Sequence, residues 1–334
     1  MLMTYLQSIN SSVQKDRREM TKTKAWHRLS TTAKVFSQSK PSKLTTKSAG
    51  DFSGRDGNTD EMTWSSWLSF KQKEWDNRTV VYNRLPKTGS RTISFIADQI
   101  HKRNNYTKTV YDPTVEGFLP PTLVRKVVME IEMMPRPLVY MNHLRFVDFT
   151  MFGKKQPIYF NVVREPIERF VSFYYFRRFG DGEINNGKPL YLRNESIDEC
   201  VYNRRHECTG EEKLWLTLGF FCGHDELCKT PNRDALDKAK RNIERFYMFV
   251  GLSSNMDDVI FILETYLPAY FKGAQDFWQK QKMEQMAVHK TSFKKPIGAR
   301  ARNILRKTMD LEYELYYFIK DRFEDLLQQI SLPG

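Results

Sequence analysis

No stretch of this chain is apolar over the roughly 18 consecutive positions that a membrane-spanning helix needs, and residues 1–9 are too short and too polar for the apolar core of a secretion signal. Cysteine is scarce, with four in 334 residues and no CxxC pair among them, so a cysteine-rich zinc site is poorly supported. The GxxxxGK[ST] phosphate loop is missing as well, which disfavours a nucleoside triphosphatase of that type. Acidic residues are in deficit, 40 against 53 Lys and Arg. The net charge of +13 and pI near 9.4 point to an anionic partner, whether nucleic acid, a phospholipid surface or an acidic polysaccharide. What is present is enough apolar material, 40% hydrophobic and 13% aromatic, to bury a sizeable core and exclude disorder of the whole chain. Residues 1–60 are the exception: with 11 Lys or Arg against 5 Asp or Glu and no sustained apolar period, they read as a flexible basic tail extending to about residue 70.

The segment TVVYNRLPKTGSRTISFIADQIHKR, residues 79–103, organises the rest. Residues 79–85 are apolar and β-branched enough for a buried strand, and Ile93, Ile96, Ala97 and Ile100 fall on one helical stripe. Between them lie Pro86, Lys87, Thr88, Gly89, Ser90, Arg91 and Thr92. Gly89 allows a tight turn, and the helix that follows begins with backbone N–H groups that have no partner within it. Those amides, the helix dipole, the Lys87 ammonium and the planar Arg91 guanidinium all favour a phosphate or sulfate. An ordinary capped helix start with exposed basic residues is the competing reading.

Prolines at 113, 120, 121, 135 and 137 divide the next region into a loop, a helix over 122–134 and a short strand over 138–141 that delivers Asn142 and His143. By spacing alone, a single histidine there is more often a core or surface residue than a base. Residues 158–163 then repeat the strand, running into Arg164-Glu165-Pro166, and Ile167, Phe170, Val171 and Tyr174 repeat the helical stripe. Ser172 lies about two helical turns after Arg164, so both can reach one anion. The alternative is Arg164 paired at the surface with Glu165 or Glu168. Further on, the periodicity predicts a helix over 233–247, a strand over 247–251, a helix over 256–267 ended by Pro268, an irregular basic stretch over 283–306 and one amphipathic helix over 304–330 with Leu311, Leu315, Phe318 and Ile319 inward. An even cysteine count, with Asn-x-Ser/Thr sequons at Asn10, Asn77, Asn105 and Asn194, fits an oxidising secretory compartment.

The loop RLPKTGSRT, the later NVVREPIERFVSFYYFRRFGD and the segment FFCGHDELC resemble, in that order, the uronosyl 2-O-sulfotransferases, the family with heparan sulfate, uronyl and insect Pipe-like branches. The resemblance runs from about Val80 to the C-terminus, and the Gly-Ser-Arg-Thr loop leans towards the uronyl and Pipe-like branches. Two strand-loop-helix units already indicate an α/β domain with ligands at the strand C-termini. The resemblance implies its form: three layers, a central parallel sheet and a P-loop-like phosphate-binding loop, with a catalytic domain over 71–334.

It also implies a reaction, sulfuryl transfer from 3′-phosphoadenosine 5′-phosphosulfate to the 2-hydroxyl of a uronic acid in a glycosaminoglycan or related glycan. His143 would be the general base, and Lys87 would neutralise charge on the oxygen bridging phosphate and sulfate. Lys87, Thr88, Gly89, Ser90, Arg91 and Thr92 would hold the 5′-phosphate, Arg164 and Ser172 the 3′-phosphate, and Thr291 and Lys295 would close over the nucleotide. Arg84, Arg177, Arg178, Lys188 and Arg193 are the candidates for acceptor carboxylates and sulfates. The implied disulfides are Cys200–Cys208 and Cys222–Cys228, no metal is required, and the partner is an acidic polysaccharide or glycoprotein glycan, not nucleic acid. The implied setting is the Golgi lumen, where relatives carry an N-terminal anchor not visible in this chain, and the implied assembly is a homotrimer. Two departures stand out: Met141 occupies a position where some relatives have a second histidine, and the arginine-rich insert after RFGD is thinner. Two rivals stay open on the residues alone. A P-loop-like kinase would use Lys87 and Arg91 but has no evident magnesium carboxylate. A non-catalytic glycan- or nucleic-acid-binding protein accounts for the charge but not the two loops.

Overall fold

Four strands built on apolar runs and one short polar strand form a single sheet. The computed structural model describes residues 75–109, 112–180, 194–210, 214–288 and 291–331, all within one compact unit, Asp60–Gly334. The basic tail expected over residues 1–70 lies outside the described residues. The strands are β1 (Asp76–Asn83), β2 (Thr107–Lys108), β3 (Leu138–Asn142), β4 (Pro157–Val163) and β5 (Tyr247–Leu252), in the spatial order β2-β3-β1-β4-β5 and all parallel. Every residue of β3, β4 and β5 is buried, as expected for a parallel sheet covered on its faces, whose strands read as continuous rather than alternating apolar runs.

Ten helices of six or more residues accompany the strands among the described residues: α1 (Ser90–Ile100), α2 (Pro121–Met133), α3 (Pro166–Phe179), α4 (Ile197–Tyr202), α5 (Leu216–Cys222), α6 (Arg233–Phe246), α7 (Met256–Tyr266), α8 (Ala274–Val288), α9 (Ala299–Thr308) and α10 (Asp310–Ser331). The chain leaves β1 towards β2, returns through α2 to β3, and later crosses outward from β4 to β5. Right-handed crossovers running in opposite directions place α1 on one face and α2 and α6 on the other. Among the described residues, no helix is long and apolar enough to cross a membrane.

Two apolar cores form. The larger joins the sheet to α1, α2, α6, α7 and α10; the smaller gathers Ile167, Phe170, Val171, Tyr174 and Tyr175 of α3 with Cys200, Ala301, Leu305 and Met309. This division explains a difference from the sequence reading, in which residues 304–330 form one helix. The chain breaks at Met309, which is buried in the smaller core and ends α9, whereas Leu311, Leu315 and Ile319 of α10 turn into the larger one. The Asp310 carboxylate accepts from the Leu311 N–H at 2.8 Å and starts the new helix. The stretch read as irregular over 283–306 is likewise shorter, since α8 and α9 take both of its ends and only 291–298 is left between them among the described residues.

The second core also fixes α3. Arg169 of α3 and Glu312 of α10 are both fully buried and attract each other, and the Glu312 carboxylate accepts the Leu218 N–H at 2.6 Å. Disulfides Cys200–Cys208 and Cys222–Cys228 close two local loops beside these helices, with the pairing that the resemblance implies.

Candidate functional site

At the C-terminal edge of the sheet the chain departs from β1 in one direction and from β4 in the other, which opens a crevice between the strand ends. The loop after β1 fills it. Thr88, fully buried, donates its hydroxyl to the Leu85 carbonyl at 2.8 Å, so its side chain braces the turn from within. Lys87 and Gly89 both take left-handed backbone conformations, φ 68° and 83°. At Gly89 a Cβ would also lie 2.9 Å from the Met256 methyl group, the movable end of a flexible side chain, so it is the left-handed backbone that calls for glycine there. A left-handed lysine is unusual, and such conformations persist where the surroundings impose them. Helix α1 begins directly after Gly89 with no side-chain cap and no acidic residue in its first turn; Arg91 stands there instead. That arrangement is suited to an anion, because the helix supplies donors and a positive dipole end without a carboxylate of its own.

Strand β3 brings His143 against this loop. Asn83 pairs with Asn142 at the ends of the two strands, the Arg84 N–H continues the ladder to the Asn142 carbonyl at 2.8 Å, and His143 Nδ1 lies 2.6 Å from the Arg84 carbonyl oxygen. A carbonyl can only accept, so Nδ1 carries the hydrogen and Nε2 holds the lone pair of the neutral ring. Burial pushes the imidazole pKa below its ordinary value. The hydrogen bond to Arg84 opposes this shift, the Arg84 charge adds to it, and Glu116 opposes it. Beneath the loop, the Asn83 side-chain amide donates to the Tyr247 hydroxyl at 2.8 Å, and the Asn161 amide donates to the Asn83 carbonyl and side-chain oxygens at 2.6 and 2.8 Å, so the end of β1 is laced to β4 and β5.

The result is a cavity of about 210 Å³ lined by Arg84, Pro86, Lys87, Gly89, Ser90, Arg91, Thr92, His143, Arg164, Ser172 and Phe176. Residues from the ends of β1, β3 and β4 and from α1 and α3 meet there, and among the described residues no carboxylate lines it. The Lys87 ammonium sits 4.0 Å over the Phe176 ring. Burial, then the charges of Arg91, Arg164 and Lys294, bring its pKa down to about 8. Arg91 is also lowered, by burial and by Arg84. This crowding of cations costs free energy that a bound polyanion would return.

The remaining candidates are placed differently. Thr291 reaches the cavity wall through Ser172, hydroxyl to hydroxyl at 3.3 Å. Lys295 is exposed and near Glu199, and it is the adjacent Lys294 whose charge is felt at Lys87. Arg177 stacks on Phe173 and is not part of the lining. Arg178 does not face the crevice at all: it is fully buried, 3.5 Å over the Tyr174 ring, with Glu207 at 2.5 Å and Glu195 at 4.0 Å. Its charge is taken up inside the fold, because a buried guanidinium must be paired. Lys188 and Arg193 lie outside the described residues. Met141, where some relatives have histidine, is buried under Ser94 of α1, whose hydroxyl lies 3.9 Å from its sulfur. Among the described residues, Glu195, Cys200 and Glu207 come close enough to share a cation, but the Cys200 sulfur is bonded to Cys208 and both carboxylates face Arg178, so these donors are already committed. Glu168, which the sequence offers only as a surface partner for Arg164, does stand 3.6 Å from it. Phe176 and Lys294 are not singled out by the sequence; Phe176 differs from its aromatic neighbours only in the helix face it occupies, a 3.6-residue signal that the aromatic run over 173–176 obscures.

Comparison with known proteins agrees with this geometry. Residues 74–318, more than half of the chain, match the model of the sulfotransferase family. Human uronyl 2-sulfotransferase is 31% identical over 263 residues, covering 76% of this chain and 64% of that protein. Heparan sulfate 2-O-sulfotransferase 1 of Xenopus laevis is 37% identical over 259 residues, 73% of this chain and 70% of that protein. Heparan sulfate 2-O-sulfotransferase hst-2 of Caenorhabditis elegans is 34% identical over 265 residues, 76% and 81% respectively. The chain thus spans a little under two thirds of the length of the uronyl enzyme. With two basic loops at the adjacent ends of β1 and β4, a histidine beside them at the end of β3 and a family match across the whole sheet, the chain belongs to the sulfotransferase family.

Proposed function

We propose that this chain is a uronosyl 2-O-sulfotransferase, which transfers a sulfuryl group from 3′-phosphoadenosine 5′-phosphosulfate to the 2-hydroxyl of a uronic acid in a glycosaminoglycan. The observation that carries the reading is the cavity in which the uncapped start of α1, Lys87, Arg164, Ser172 and His143 meet. The first-turn amides of α1 with Lys87, Ser90, Arg91 and Thr92 suit the 5′-phosphate, and Arg164 with Ser172 suits the 3′-phosphate. In the transfer, the acceptor oxygen forms a bond to sulfur as the bond from sulfur to the phosphate oxygen breaks. The acceptor proton passes to His143 Nε2, and Lys87 stabilises the charge left on 3′-phosphoadenosine 5′-phosphate. Arg84, beside His143 in the cavity, is the candidate for an acceptor carboxylate. Among the described residues the lining holds no carboxylate, which weighs against a magnesium-dependent kinase, an enzyme that needs one to hold its metal. The catalytic domain in this reading is 71–334. Sulfate transfer from labelled donor to a panel of desulfated heparan, dermatan and chondroitin chains tests the proposal; no transfer to any uronate-containing acceptor would sink it.

Arg164 is one third exposed and shares its charge with Glu168 at 3.6 Å, so its contribution to phosphate binding is smaller than that of a fully buried arginine. Arg164→Ala should weaken binding of 3′-phosphoadenosine 5′-phosphate by about 1.5–3 kcal/mol, the range for a hydrogen bond to a charged group. Calorimetry measures this, and an unchanged Kd would remove Arg164 from the site.

The setting that suits this acceptor is an oxidising secretory lumen, the Golgi in our reading. There the native chain should show no reactive thiol, and all four cysteines should appear only after denaturation and reduction. Thiol labelling before and after reduction decides it, since free thiols in protein recovered from the secretory pathway contradict that compartment.

A further inference from the structure

One face of α3 carries Glu168, Ser172, Tyr175 and Phe179, the i, i+4, i+7 and i+11 positions of a single helical stripe. Each meets the segment 291–295. The Glu168 carboxylate accepts from Lys294 Nζ at 3.1 Å; the Ser172 and Thr291 hydroxyls lie 3.3 Å apart; the Tyr175 hydroxyl lies against the Lys295 backbone; and the Phe179 and Phe293 rings are 5.1 Å apart. The segment therefore runs along the helix that supplies Ser172 and Phe176 to the cavity. Glu168 holds more than Lys294. It also accepts from Arg302 of α9 at 2.7 Å and stands 3.6 Å from Arg164, so one carboxylate joins three cations from three separate parts of the chain.

We propose that Glu168 is a positioning residue for donor binding, one that fastens segment 291–295 along α3 so that Thr291 and Lys294 stand beside Ser172, Arg164 and Lys87 before the nucleotide arrives. The role rests on the donor reading given above. Two opposing effects of the carboxylate have to be weighed. It pre-orders a five-residue segment that would otherwise be ordered at the expense of binding, and it draws Arg164 away from an incoming phosphate. Distance decides between them. Lys294 and Arg302 are within hydrogen-bond reach of Glu168, whereas Arg164 at 3.6 Å is not, so the fastening outweighs the competition. A single exposed ion pair contributes little, but a carboxylate shared among cations on different segments acts as a network.

The test uses the full chain with Glu168→Gln, which keeps the shape and removes the charge, and Glu168→Asp, which keeps the charge. Hydrogen exchange without ligand should quicken at least about tenfold in residues 291–298 of the Gln variant, with β1 and β4 unchanged. The Kd for 3′-phosphoadenosine 5′-phosphate and the donor KM should rise on the order of tenfold while kcat stays within about twofold, the pattern of lost binding rather than lost chemistry. The Asp variant should recover much of both effects. Unchanged exchange in 291–298, or a Gln variant that binds the nucleotide as well as or better than the unsubstituted chain, overturns the positioning role. If the unsubstituted chain itself fails to bind the nucleotide, the donor reading falls, and the positioning role with it. The ligand-free exchange result then still shows whether Glu168 holds the segment.

Discussion

Replacing His143 with alanine should lower kcat by about 10²–10⁴-fold and leave the affinity for 3′-phosphoadenosine 5′-phosphate close to that of the unsubstituted chain. The expectation follows from where the ring is held. His143 follows the end of β3 and is fixed through Nδ1 to the Arg84 carbonyl, whereas the amides proposed to bind the 5′-phosphate belong to α1 and the proposed 3′-phosphate partners Arg164 and Ser172 to the β4–α3 turn and to α3. A group that meets only the acceptor hydroxyl contributes in the transition state and not in the donor complex, so its loss appears in kcat alone. The pH profile gives a second test. In the proposed reaction the base is the neutral imidazole, and burial lowers the His143 pKa below 6.5, so activity at saturating donor should persist to more acidic pH than an exposed histidine would permit and fall only below that value. In the alanine variant that acid limb should disappear. Near-normal turnover in a variant with an unchanged circular dichroism spectrum would show that another group takes the proton.

The parts of this site that could be read from the sequence are those set by local periodicity. The apolar runs of β1 and β4 and the i, i+3, i+4 stripes of α1 and α3 are properties of neighbouring residues, and together they place Lys87, Ser90, Arg91, Arg164 and Ser172 at strand ends before any tertiary contact is known. The missed features depend on partners far along the chain. Arg177 and Arg178 look alike in a basic run, and the second turns inward because Glu207 waits 29 residues later. Lys294 and Lys295 are adjacent, and Glu168, 126 residues earlier, selects the first. The break at Met309 left no mark in the helical period, because it arises where α9 and α10 serve different cores. Sequence distance, not weak chemistry, hid these assignments.

Lys87→Ala should affect both stages of the reaction, in contrast to His143→Ala. Its ammonium lines the same cavity as His143, and in the proposed complex its loop cradles the donor, so it would meet charge that is present in the ground state and charge that grows as the bond from sulfur to the bridging oxygen breaks. Loss of one such electrostatic group costs about 10²–10³-fold in turnover, and weaker donor binding adds to the fall in kcat/KM. The depressed pKa supplies a test of the ammonium itself. In the chain without donor, burial and the neighbouring cations hold Lys87 near pKa 8, so it is charged at neutral pH and loses its proton as pH rises through that value. A bound polyanion favours the charged form and raises the pKa. Binding of 3′-phosphoadenosine 5′-phosphate near pH 8 should therefore take up a proton, and affinity should decline as pH rises above 8. Calorimetry in buffers of different ionisation enthalpy measures the uptake directly; Lys87→Ala should abolish both the uptake and the pH dependence, whereas Arg164→Ala, which removes one of the charges that depress the Lys87 pKa, should move both to higher pH without abolishing them. If the alanine variant turns over normally at saturating donor, Lys87 serves binding alone; if the unsubstituted chain takes up no proton, the ammonium does not contact the nucleotide.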